Sequence, residues 1–205
     1  MNNNFRGTAW KKLLITLLTL SIIWTLTACS KDSAPTEDSQ VENTSTENIQ
    51  VTEETVSTNT EWTIYWYLCG SDLESNFGAA TNDLLELMEV ELPETVKVVI
   101  QTGGTSYWQN DLISVDTMGR YVYDHNGLQL IEELPSANMG NGQTLKDFLS
   151  FGKENFPAKH TAVVFWNHGG GSVSGAAFDE LYGMDSLSLE ERYLAFADIF
   201  GENPQ

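Results

Sequence analysis

"WTIYWYLCGSDLESNFGAATNDLLELMEVELPETVKVVIQT", residues 62–102, decides the fold class. Trp62 to Leu68 are aromatic, β-branched or aliphatic with little alternation, the pattern of a strand buried on both faces. "FGAATNDLLELMEVE" follows, with Phe77, Ala80, Leu84, Leu87 and Met88 at helical spacing. "VKVVIQT", 96–102, reads as a second buried strand. Strand, helix and strand at these lengths form a βαβ unit and predict a parallel sheet.

Toward the C-terminus, residues 107–134 alternate polar with apolar, and Asn126-Gly127 is a two-residue hairpin signal. This segment is expected to be an antiparallel excursion at the surface. A helix is predicted over "QTLKDFLSFGKENF", with Leu145, Phe148 and Leu149 on one face, and a third buried strand over "TAVVFWN". Ser188 and Glu191 form a capping box opening a last helix, whose Leu189, Tyr193, Phe196 and Phe200 share a face. Three buried strands leave an unfinished sheet. The last helix is expected to return the chain to a fourth parallel strand beyond Gln205, so 62–205 is expected to be the N-terminal part of a longer α/β domain. The open edge predicts poor solubility.

Toward the N-terminus, residues 30–61 contain no aromatic residue and are rich in Ser, Thr, Asn, Gln and acids. They cannot bury enough apolar surface to offset the entropy of ordering, so 29–61 is expected to be a disordered acidic tether. Arg6, Lys11 and Lys12 precede the short apolar run "LLITLLTLSIIWTL", the layout of a secretory signal peptide over 1–28. "LTAC", 26–29, resembles a bacterial lipobox, which makes Cys29 the lipid-attachment residue of an exported membrane lipoprotein facing outside. Only Cys29 and Cys69 exist, so acylation of Cys29 leaves no disulfide within one chain.

The formal charge is −19; without residues 1–28, seven cations face 29 acids, a net charge of −22. Nucleic acid is thereby disfavoured as a partner, because such binding wants a basic surface. A basic peptide is compatible with this charge, as is a plain solvated surface.

"TAVVFWNHGGGS", 161–172, carries the candidate chemistry. In open parallel sheets functional groups gather beyond the carboxyl ends of strands, where His168 falls. Imidazole suits proton transfer, and Gly169, Gly170 and Gly171 can turn sharply and offer N–H groups. A surface His on a capped turn is the other reading. A phosphate cradle is rejected: no G-x-x-x-x-G-K-[ST] occurs, and Ser174 stands where the last Gly of G-x-G-x-x-G belongs. A hydrolase with an HGGG oxyanion loop needs a G-x-S-x-G elbow, which is absent.

A cysteine-peptidase dyad is the third option. "WTIYWYLCGSDLES", "NDLLELMEV", "VKVVIQTGG…W", "NMGNGQTLKDFLSFGKENFPAKHTAVVFWNHGGGS" and "DSLSLEE", in this order, resemble the clostripain family of cysteine peptidases. The resemblance implies a caspase-like α/β fold, a mostly parallel sheet flanked by helices, and cleavage of peptides after basic residues, Arg above all. It implies His168 as the catalytic residue and the backbone N–H of Gly169 as half of the oxyanion hole. No cofactor is required; a supporting Ca²⁺ is allowed by the resemblance, with no ligand set named.

In that family the nucleophilic Cys ends the strand after the one bearing His. No Cys follows His168, so the chain as given is expected to be inactive. Cys69 falls in "LCGSDLES" and is read as a packing residue, and Asp72 as a loop or helix-cap residue, with the specificity pocket as its other use. The alternative function is a non-catalytic surface lipoprotein that keeps the scaffold for binding.

Overall fold

The structure, a computed structural model, describes residues 59–201. The expected signal peptide, Cys29 and the tether up to residue 58 lie outside the described residues. Thr60 and Glu61 already bond to the foot of the sheet, their carbonyls accepting from Lys159 and His160 N–H at 3.2 and 2.9 Å.

β1 (Trp62–Cys69) lies inside the sheet, and its largely apolar run follows from that position. It pairs in parallel with β2 (Val96–Gly103) on one side and with β5 (His160–Trp166) on the other. β2 pairs antiparallel with β3 (Thr117–Asp124), which makes a hairpin with β4 (Gly127–Pro135), giving the order β4-β3-β2-β1-β5. The turn falls at Asn126-Gly127, with Asp124 opposite Gly127.

Helices cover both faces. α3 (Gly142–Asn155) and α5 (Leu189–Phe200) bury Leu145, Phe148, Leu149 and Ala195 against Tyr65, Tyr67, Val99 and Val122. On the other face α2 (Ala79–Met88) buries Ala80 and Leu84 with Trp66, Leu68, Ile100 and Tyr121. α5 opens on the expected capping box: Ser188 accepts from Glu191 N–H, and the Glu191 carboxylate accepts from Ser188 N–H. The result is the α/β, caspase-like arrangement expected, with β2, β1 and β5 parallel and the sheet flanked by helices.

Four expectations change. The first helix is two, α1 (Ser71–Phe77) and α2, because Gly78 turns the chain at φ +64° and caps α1 through its N–H to Glu74 O. Phe77 is consequently 70% exposed rather than on a core face. The segment 107–134 is antiparallel as expected and its β4 half is an exposed edge, but β3 lies inside the sheet, sending Met118 and Val122 to one core and Tyr121 and Tyr123 to the other. Its alternation records two covered faces. β5 is only half-buried, since no strand covers its outer edge among the described residues. Between β5 and α5 the chain also forms a four-residue helix α4 (Gly171–Ser174) and a small antiparallel pair, β6 (Ala176–Asp179) and β7 (Asp185–Leu187), none of which the periodicity suggested.

Candidate active site at the carboxyl ends of the parallel strands

Because β1 and β5 run parallel and in register, Leu68 opposite Trp166, they release their chains at one rim of the sheet. The next residue on β5's side, Asn167, ties that rim together. Its Nδ2 donates to Cys69 O at 2.6 Å and to Phe178 O at 3.3 Å, while its Oδ1 accepts from Phe178 N–H at 3.0 Å. A side-chain amide thus replaces the ladder where the strands part, and it fixes the backbone from which His168 projects.

His168 stands half-exposed above this clamp. Its Nε2 lies 2.7 Å from Asp72 Oδ1, with the two side chains 42% and 39% exposed. The Phe178 ring packs edge-on against the imidazole, centroids 6.3 Å apart and planes at 82°. Asp72 caps no helix end; the α1 N-terminus has no side-chain cap. The carboxyl of Asp72 is held below its ordinary range, chiefly by the hydrogen bond from His168, with a smaller contribution from Ser71.

The turn that delivers Asp72 is braced. Ser71 is buried in the left-handed region at φ +53°, its N–H donating to Gly104 O at 3.0 Å and its C=O accepting from Thr105 Oγ1 at 2.8 Å. Ala177, next to Phe178, is likewise left-handed at φ +57°. Such conformations cost about 1–3 kcal/mol each and persist where surroundings over-determine them. Both flank the His168–Asp72 pair.

The glycines after His168 make a tight return. Gly169 bridges to Ala176, Gly170 N–H donates to Gly175 O at 2.9 Å, and Gly171 takes φ +67°. A Cβ on Gly169 would meet nothing within 4 Å, and its N–H has no partner among the described residues. An open donor beside an imidazole is suited to an anionic oxygen.

Cys69 is different. It is fully buried, its thiol donates to Phe178 O at 3.4 Å, and burial, followed by the nearby Asp179 charge, pushes its pKa well up. Such a thiol is the opposite of an activated one. Asp179 is itself buried, accepting from Met139 and Leu181 N–H at 2.7 and 2.8 Å, and burial raises its pKa. Its neighbour Glu180 accepts from Ser75 Oγ at 3.1 Å and from Ser106 Oγ and N–H, both at 3.0 Å. These bonds lock the turn after β6 to α1 and to the loop after β2.

Among the described residues no group of three or more His, Cys, Asp or Glu is placed to hold a metal ion. A cavity of about 510 Å³ lined by Trp62, Lys159, His160 and Phe200 lies at the other end of β5, about 20 Å along the strand from the rim. It takes no part in this site. The sequence marked His168 and Gly169, whereas Asn167, Phe178 and the Asp72 contact were not legible. The only local hint of them was Asn167 beside a glycine run.

The model of the clostripain family matches residues 66–196. No curated protein matches. Among solved structures, a secreted C11 cysteine protease from Bacteroides thetaiotaomicron, in complex with an irreversible peptide inhibitor, aligns at 18% identity and a TM-score of 0.52. The alignment covers 67% of this chain and only 39% of that one. A clostripain from Bacteroides thetaiotaomicron ATCC 29148, in complex with a peptide inhibitor, aligns at 20% identity over 56% of this chain and 95% of that one, TM-score 0.43. The first likeness is one of fold, and the chain spans well under half that protease's length.

Proposed function

The chain belongs to the clostripain family of cysteine peptidases, and from that premise we propose that it carries the histidine side of a thiol-peptidase site cleaving after basic residues, Arg above all. One observation carries the reading: an imidazole held at the carboxyl end of a parallel strand, beside an open backbone N–H. In the proposed reaction His168 takes the proton of a cysteine thiol as the sulfur attacks the scissile carbonyl, then returns it to the leaving amine. Gly169 N–H receives the developing oxyanion, where one such donor is worth about 10²–10³ in rate. Water then hydrolyses the acyl-enzyme and frees the thiol.

Cys69 is buried and Cys29 is assigned to lipid, so the proposal places the nucleophilic thiol on polypeptide beyond these 205 residues. It retains a signal peptide over 1–28, a lipid-bearing Cys29, a tether to residue 61 and the peptidase part over 62–205. That organisation puts the enzyme outside the bacterial membrane; the secreted nature of the Bacteroides protease agrees with export.

The test is hydrolysis of an arginyl amide by protein expressed from the complete coding region. Iodoacetamide should abolish it, and His168→Ala should lower it by about 10²–10⁴-fold. A His168→Ala protein with the parent rate would overturn the assignment. The buried state of Cys69 also favours a second reading, a non-catalytic lipoprotein that binds peptides. Basic-peptide binding with no hydrolysis from the complete form would establish it.

A further inference from the structure

We infer that Asp72 is a positioning residue for His168: by accepting the Nε2–H it leaves Nδ1 as the nitrogen that takes and returns the proton. The inference rests on the reading of His168 as the base. A neutral imidazole carries one N–H and one acceptor nitrogen, and a carboxylate at 2.7 Å can only accept, so the proton on the shared side belongs to His168 Nε2. The acceptor is then Nδ1, on the side of the ring away from Asp72.

Three features separate this pair from an incidental surface contact. Asp72 is held by the Ser71 hydroxyl at 3.2 Å, on a buried left-handed turn stitched to Gly104 and Thr105. That turn tolerates no bulk, since a Cβ on Gly70 would come within 2.9 Å of Glu74 and 3.0 Å of Thr105. His168 is fixed from its other side by the Asn167 clamp and the Phe178 edge. Both partners are therefore held by separate elements, which limits the side-chain entropy that makes most exposed pairs worthless.

The neighbouring charges do not compete. Glu180 is engaged by Ser75 and Ser106, and Asp179 is turned to Met139 and Leu181 N–H. The Cys69 thiol donates to Phe178 O. Asp72 is the carboxylate in contact with the imidazole among the described residues.

The full chain tests this by NMR, with the three histidines assigned through His168→Ala. In the neutral form of His168, ring ¹⁵N shifts should show protonation at Nε2 with Nδ1 bare, and an Nε2 proton protected from exchange. Asp72→Ala should lose that protection, while the Asn167 side-chain amide signals stay in place and report an intact rim. The Asp72 carboxyl should titrate at higher pH in His168→Ala than in the parent. A neutral His168 protonated at Nδ1 in the parent, or an Asp72 titration unmoved by His168→Ala, would overturn the inference.

In the complete form, Asp72→Ala should lower kcat for an arginyl amide at least about 10-fold with KM little changed, and Asp72→Glu should recover part of the loss. If His168→Ala abolishes hydrolysis while Asp72→Ala keeps the parent kcat and pH profile, the positioning role alone fails. If the NMR signatures appear but His168→Ala hydrolyses normally, it is the proposed function that fails.

Discussion

β1 and β5 leave the sheet side by side, yet their exits have opposite characters. The β1 exit, Cys69-Gly70-Ser71, is buried, with the thiol bonded to Phe178 O and the following turn pinned to Gly104 and Thr105. The β5 exit, Asn167-His168-Gly169, is clamped through the Asn167 side chain and leaves the imidazole half-exposed. A reactive residue type at a strand end is therefore insufficient for chemistry. What decides is whether the neighbouring loop closes over it. At this rim the loop after β2 and strand β6 close over Cys69 and leave His168 open, so the sealed exit becomes a mount for Asp72 and the open one carries the imidazole.

The difference can be broken most severely at the thiol. Alkylation mapped to Cys69 should be about 1,000-fold slower in the native chain than in urea, because the thiol reacts only after unfolding. Labelling at comparable rates would mean that the β1 exit is not sealed. Next in size is Gly104→Ala. A Cβ there would lie 2.5 Å from Cys69 Sγ, at a backbone φ of +70°. Overpacking and left-handed strain together should cost about 2–4 kcal/mol in urea denaturation.

Asn167→Leu attacks the seam between the exits. It strands the Phe178 N–H, takes the Asn167 donor from the Cys69 carbonyl and leaves Phe178 O with the Cys69 thiol, so about 1–3 kcal/mol should be lost, and the NMR signature of the His168–Asp72 pair should broaden or vanish. An unchanged signature would show that Phe178 and Asp72 suffice to hold the ring.

The smallest effect concerns pH. The Asp72 carboxyl is lowered from its ordinary 3.8, chiefly by the His168 hydrogen bond. A depressed carboxylate stabilises the fold above its unfolded pKa, and that contribution is lost as pH falls through the folded value. The gap in urea midpoint between the parent and Asp72→Asn should hold above pH 3.8 and close below it. With both side chains over a third exposed, it should be only a few tenths of a kcal/mol.

Much of the fold was legible because its signals are local. The apolar runs of β1 and β2, the Asn126-Gly127 turn and the Ser188–Glu191 box each depend on residues a few positions apart. Gly78 was the local signal misjudged: helical spacing ran through it from Phe77, and only the left-handed cap shows where α1 stops. β3 was misplaced for a different reason. Alternation looks the same whether the second face meets water or a second core, and only its pairing with β2 decides which.

Taken alone, the sequence determined the α/β class, the family, and the placing of His168 and Gly169 just beyond a strand, because periodicity and a contiguous motif are written in neighbouring residues. Only the tertiary structure decided that Cys69 is sealed, that Asn167 is a clamp, and that Asp72, 96 residues away from His168 along the chain, receives its Nε2–H. Those outcomes depend on parallel pairing of β1 with β5 and on the β6 return bringing Phe178 over the rim. Contacts of such separation exist only once the sheet has formed.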